Sequence, residues 1–186
     1  MSKVPSEVNK QKALRLSNEE SNKITRECIE SAIIILMKEK PFSEISITEI
    51  VKKAGVSRTA YYRNYKSKED ILQNLVSDIV IKITTSMTKH NTSLEMYDFW
   101  LEMFSSAKEY SDIFNILYDA NMGEAIFNQM NSLIINDISS NIQDKYSQLF
   151  WNGAAFAVLS HWITHNVQQS PEEMASIICT TIAPDN

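Results

Sequence analysis

Glycine and proline are scarce in these 186 residues. Only Gly55, Gly123 and Gly153 supply unrestricted backbone, and no proline occurs between Pro41 and Pro171. A sheet-rich chain of this length needs many tight turns with special dihedrals, so the scarcity excludes most all-β architectures and predicts an all-α fold of long helices. Cysteine is nearly absent. Cys28 and Cys179 lie far apart among apolar neighbours, which predicts free thiols rather than a disulfide framework. Long hydrophobic runs are missing too: Ala32 to Met37 and Ala154 to Leu159 are the longest, against the roughly 20 residues that span a bilayer. The polar start carries no signal-peptide pattern, and the expected location is cytoplasmic. Three glycines leave no room for a glycine-rich phosphate loop.

What is present is unevenly spread. The net charge is -5, yet residues 1 to 70 carry fourteen Lys and Arg against ten Asp and Glu, while residues 71 to 186 carry four against thirteen. Phosphates would attract the first part and be repelled by the second. The apolar fraction of 44% is that of a globular chain.

Residues 1 to 20 are polar and mixed in charge, the pattern of a flexible arm that is either a solvated tail or a phosphate-brushing segment. Ser17 and Glu20 fit a capping box opening a first helix, with Ile24, Cys28, Ala32, Ile35 and Leu36 as its apolar face and Pro41 as its stop. A second box, Ser46 with Glu49, opens a helix carrying Ile47, Ile50, Val51 and Ala54. Gly55 follows, where only glycine turns the chain without steric cost. Ser57 then caps a third helix from Arg58 to about Tyr65.

Two short helices around a glycine make a helix-turn-helix, whose second helix enters the DNA major groove. Many helical hairpins share that spacing, so the outer surface matters more. Arg58, Thr59, Tyr62 and Arg63 offer donors and an amphipathic ring, with no acid between Ala54 and Lys68. Arginine bonds two acceptors of guanine, threonine meets a methyl group or a phosphate, and tyrosine commonly bonds phosphate. Tyr61 falls on the inner side. Ser67 and Asp70 box a fourth helix running toward Lys89, and Lys68 sits at its positive end, where a lysine costs energy unless it clamps a phosphate or simply faces solvent.

The remaining helices are amphipathic. Ser93 is placed to cap one carrying Trp100 and Phe104; Ser111 or Asp112 starts another; a third runs from about Met122 to Ile142. Trp100, Phe104, Phe114, Tyr118, Phe127 and Met130 either line a small-molecule pocket or pack as plain core. Near the end, Phe150, Gly153, Ala157 and Trp162 on one helix, and Met174 and Ile178 on the next, read as a dimer interface with small residues for close approach. Ser170, Pro171 and Glu173 cap the last helix. His161 and His165 have the i, i+4 spacing of metal ligands, but no glutamate follows His161, and the expectation is no metal. No paired carboxylates suggest acid-base catalysis, so the chain is not expected to be an enzyme.

From Phe42 to Leu72 the chain resembles the TetR family of bacterial transcriptional regulators. The resemblance rests on Phe42, Ser46, Ile50, Val51, Ala54-Gly55-Val56-Ser57, Tyr61-Tyr62-Arg63-Asn64-Tyr65 and Lys66-Ser67-Lys68-Glu69-Asp70-Ile71-Leu72. Gly153, Trp162 and Ser170 to Glu173 are more loosely similar to the branch that includes regulators of dihydroxyacetone-kinase operons. The resemblance implies about nine helices, a DNA-binding head at 21–66, a regulatory and dimerisation body at 67–186, and a homodimer through the last two helices. It implies a repressor that leaves a palindromic operator when a small apolar or amphipathic effector binds, or else an activator or adaptor answering to a protein partner. Effector binding is expected to shift the fourth helix and so change the spacing of the two heads. On the family's pattern Arg58, Thr59 and Tyr62 face bases or nearby phosphates, Thr48, Ala60 and Lys68 lie close to the backbone, and Ser57 caps the reading helix. Ala60 stands where threonine is common, and Arg63 and Asn64 where histidine is common, so no operator sequence carries over.

Overall fold

The computed structural model describes residues 7–87, 96–135 and 142–182, and these are all helical apart from short connections. Their contacts gather into two units, one ending at Ile71 and one beginning at Leu72.

The first unit starts with α1 (Glu7–Glu39). It runs straight through Ser17, so residues 7–20 are helix and the expected cap is an ordinary exposed position. The reason is local: 7–20 contain no glycine or proline and are rich in Glu, Lys, Gln, Ala and Leu, which favour helix without needing an apolar face. The buried stripe of α1 is Ile29, Ala32, Ile33 and Leu36, whereas Ile24 and Ile35 are exposed. Counting back from Leu36 at three- and four-residue steps gives this stripe; of the expected face it keeps Ala32 and Leu36, leaves Cys28 half-buried and drops Ile24 and Ile35. A 3₁₀ turn at Phe42–Glu44 leads to α2 (Ile47–Ala54) and α3 (Arg58–Asn64). Helix α1 packs on both of them. Their shared core adds Ile45, Ile50, Val51, Tyr61, Tyr65 and Ile71.

Helix α4 (Lys68–Met87) continues into the second unit and buries Leu72, Leu75, Val76, Ile79, Val80 and Ile83. The expected end at Lys89 and the cap at Ser93 lie outside the described residues. Then follow α5 (Met96–Glu109), α6 (Ser111–Asp119), α7 (Gly123–Ile135), α8 (Ile142–Thr164) and α9 (Pro171–Ile182). Helix α5 lies along α9 and also meets α6 and α8, while α8 packs on α6 and α7. Trp100, Met103, Phe104, Phe114, Leu117, Ile126, Leu159, Trp162, Ile163, Met174 and Ala175 fill this core. Each large apolar side chain of this kind contributes about 1.5–3 kcal/mol by leaving water.

Gly123 lies close under the exposed Tyr118 ring. A Cβ there would lie 3.1 Å from the Tyr118 ring. Of the described helices, none is long and apolar enough to cross a membrane.

Candidate nucleic-acid interface

Local hydrogen bonds fix where α2 begins and ends. Ser46 Oγ accepts from the Glu49 amide at 3.3 Å, and the Glu49 carboxylate accepts from the Ser46 amide at 3.0 Å and from its hydroxyl at 2.8 Å. Lys40 Nζ donates to the other Glu49 oxygen at 2.7 Å. The Lys40 hydrogen bond foremost, then those from Ser46, hold the Glu49 carboxyl down at about 2. At the far end Gly55 has φ +66°, and its amide and that of Val56 bond back to α2 carbonyls. Ser57 Oγ then accepts from the Ala60 amide at 3.1 Å and opens α3.

Tyr61 and Tyr65 anchor α3 from below. Tyr61 is fully buried, as its inward position predicts, and burial pushes its phenol up to about 12. Its ring meets Tyr62 edge-on at 5.2 Å. Tyr65 donates to Glu30 Oε1 at 2.5 Å, with the Arg26 guanidinium 5.7 Å from its ring centre. Burial, followed by the Glu30 carboxylate, raises the Tyr65 phenol. This tie between α1 and α3 was not legible in sequence, although Arg26 and Glu30 sit one turn apart with opposite charge.

With its inner face so pinned, α3 turns Arg58, Thr59, Tyr62 and Arg63 outward, all exposed, with Ala60 half-buried. Tyr62 is 54% exposed, a large aromatic left in water on a short helix. Thr48, exposed on α2, joins this surface: Arg58 Nη2 donates to Thr48 Oγ1 at 2.6 Å. Lys68 does not. Its ammonium donates to the carbonyls of Phe42 at 2.8 Å, Ser43 at 3.3 Å and Ile45 at 2.8 Å, and lies 4.5 Å from the centre of the Phe42 ring. An ammonium has three hydrogens. The three carbonyls all lie on the loop before α2, so the ammonium clasps that loop. The Ser67–Asp70 box itself is present, the Asp70 amide donating to Ser67 Oγ at 3.1 Å.

In the second unit the six expected pocket residues fall into separate contacts. Trp100 stacks on Phe104 at 6.1 Å, and Phe104 meets Trp162 edge-on at 5.1 Å. Phe114 stacks on Tyr118 at 6.1 Å, and Phe127 lies 5.1 Å from Phe156. Trp100, Phe104 and Phe114 are buried, Phe127 and Met130 half-buried and Tyr118 exposed.

The expected interface set divides. Trp162 and Met174 are buried within the chain, and Trp162 Nε1 donates to the Gln169 carbonyl at 3.2 Å; they serve the chain's own core. Phe150 is 69% exposed, Ala157 is exposed, and Gly153 and Ile178 are half-buried. Tyr146, Trp151 and Ile177 are exposed as well. A groove of about 450 Å³ touches Ala157, His161, Trp162, His165 and Met174. The two imidazoles stack at 3.9 Å, and His165 Nδ1 donates to the His161 carbonyl at 2.7 Å. Among the described residues, no three His, Cys, Asp or Glu side chains gather as metal ligands.

A glycine-turned pair of short helices on a buried tyrosine base, with arginine, threonine and tyrosine outward, defines a helix-turn-helix DNA-binding protein. Residues 29–75 match the model of the bacterial regulatory proteins of the tetR family, and residues 94–184 match that of a transcriptional regulator C-terminal region. The chain belongs to the TetR family of transcriptional regulators. Over 88 residues it is 27% identical to the uncharacterised HTH-type transcriptional regulator YxbF of Bacillus subtilis (strain 168), an alignment spanning 45% of this chain and 23% of that protein. A TetR transcriptional regulator from Streptococcus agalactiae 2603V has a similar structure, with a TM-score of 0.58 at 15% identity over 90% of this chain and 98% of that one. So has the dihydroxyacetone kinase operon activator DhaS, with a TM-score of 0.56 at 16% identity over 85% of this chain and 93% of that one. At such identities the likeness is one of fold.

Proposed function

We propose that the chain is a repressor that binds a palindromic operator as a two-fold homodimer and is released by a small apolar or amphipathic effector. The observation that carries the DNA-binding part is the outward set Arg58, Thr59, Tyr62 and Arg63 on a helix fixed from beneath. The dimer is supported by the exposed apolar side chains Tyr146, Phe150 and Ile177, and by the empty space around Gly153, where a Cβ would have no heavy atom within 4 Å. Two copies place two reading helices in successive major grooves. Effector binding in the body shifts α4 and lowers the population whose heads match that spacing.

The test is binding of the full chain to its own promoter at stated salt. Arg58→Ala is expected to weaken binding to that duplex about tenfold or more while leaving random DNA little changed. Equal affinity of the unaltered protein for promoter and random duplex defeats the assignment.

A second reading makes the protein an activator or adaptor that answers to a protein partner. The mutual packing of Trp100, Phe104 and Trp162 favours it, as does the name of DhaS, an operon activator of similar fold. A reporter behind the promoter, with and without the regulator, separates the two by the sign of its response.

A further inference from the structure

The bond between Arg58 and Thr48 joins two helices. Thr48 is the second residue of α2 and Arg58 the first of α3, and both are exposed. A free arginine on such a surface samples many rotamers, and fixing one costs conformational entropy. Here a hydroxyl does the fixing. No acid occurs from residue 50 to 68, and the neighbouring Glu49 carboxylate is held by Lys40 and Ser46.

That choice of partner has a chemical consequence. A carboxylate would neutralise the guanidinium and repel a phosphate. A hydroxyl accepts from Arg58 and keeps its own hydrogen to donate outward, and a DNA phosphate oxygen is an acceptor. The guanidinium has five N–H donors, so the bond to Thr48 leaves enough for the two acceptors that guanine presents in the major groove.

We propose that Thr48 is a specificity-determining positioning residue, its hydroxyl bridging a DNA phosphate to the Arg58 guanidinium so that Arg58 is held in register for one guanine. This rests on the assignment of Arg58 as a base reader. Thr48 acts through Arg58 and gives the backbone contact a share in sequence selection.

Selection of bound duplexes from a randomised pool, followed by affinities for the best duplex and for the same duplex with its guanine replaced, tests this with the full-length protein. The variants are Arg58→Ala, Thr48→Val, Thr48→Ala and Thr48→Ser, each checked by thermal melting. Arg58→Ala is expected to abolish the preference at one guanine per half-site. Thr48→Val and Thr48→Ala should each reduce discrimination there about tenfold, and Thr48→Ser should restore it. If the Val and Ala variants weaken all duplexes equally and keep the guanine preference, or change nothing, while Arg58→Ala abolishes it, Thr48 is not a positioning residue. If Arg58→Ala itself leaves every preference intact, the base-reading assignment falls first and takes the role of Thr48 with it.

Discussion

Single residues in the head do work that their neighbours in sequence do not announce. Lys68 closes the loop at Phe42, Ser43 and Ile45. Lys68→Met keeps the stem and removes the charge, leaving three carbonyls to find water. We expect a loss of about 1–2 kcal/mol in chemical denaturation, with little effect on the salt slope of DNA binding. A phosphate-binding lysine would instead lower that slope by about one unit. Glu49 carries a pH signature. Its carboxyl is held near 2, so its contribution to stability is complete above the ordinary carboxylate range and is lost as pH falls from about 4.5 toward 2. The melting temperature of Glu49→Gln should therefore fall less steeply than that of the unaltered protein across that window. Coincident slopes would show that the Lys40 pairing adds nothing. The Ser46–Glu49 box was legible in sequence because its partners are three residues apart. The clasp of Lys68 was not, because its partners lie 23 to 26 positions away.

At the scale of elements, the turn between α2 and α3 depends on one dihedral. Gly55 has φ +66° with open space around it, so any side chain is opposed by backbone conformation and not by a neighbour. Gly55→Ala should cost about 1–2 kcal/mol, and Gly55→Asn less, since asparagine tolerates the left-handed region. Denaturant midpoints of the three proteins order these costs, and an Ala variant as stable as the original would contradict the strain. Most helices were recoverable from caps and periodicity: Ser57, Ser67 and Ser170 cap where expected. The start of α1 was not. A polar helix has no apolar period to follow, and propensity over 7–20 carries it without one.

For the whole molecule, Gly153 separates what the single chain needs from what a partner needs. Within the chain an alanine there meets nothing, and replacing a helical glycine should stabilise by up to about 1 kcal/mol. Gly153→Leu should leave the chain folded by circular dichroism yet shift the protein toward monomer in sedimentation, provided a second helix packs at that point. A dimer of unchanged affinity would move the interface elsewhere. The division of the expected interface residues has a physical cause. Trp162 and Met174 lie on the same two helices as Phe150 and Ile178, and periodicity finds apolar residues without saying which face the chain keeps for itself.

The Lys68 clasp also bears on the order of synthesis. Chains emerge from the N-terminus, and their parts fold as they become available. When Tyr65 has emerged, α1, α2, α3 and the tie to Glu30 are all present, but the ammonium that fastens the loop between α1 and α2 is not. The nascent reader is thus complete in sequence several residues before it is locked, and the first residue of α4 locks it.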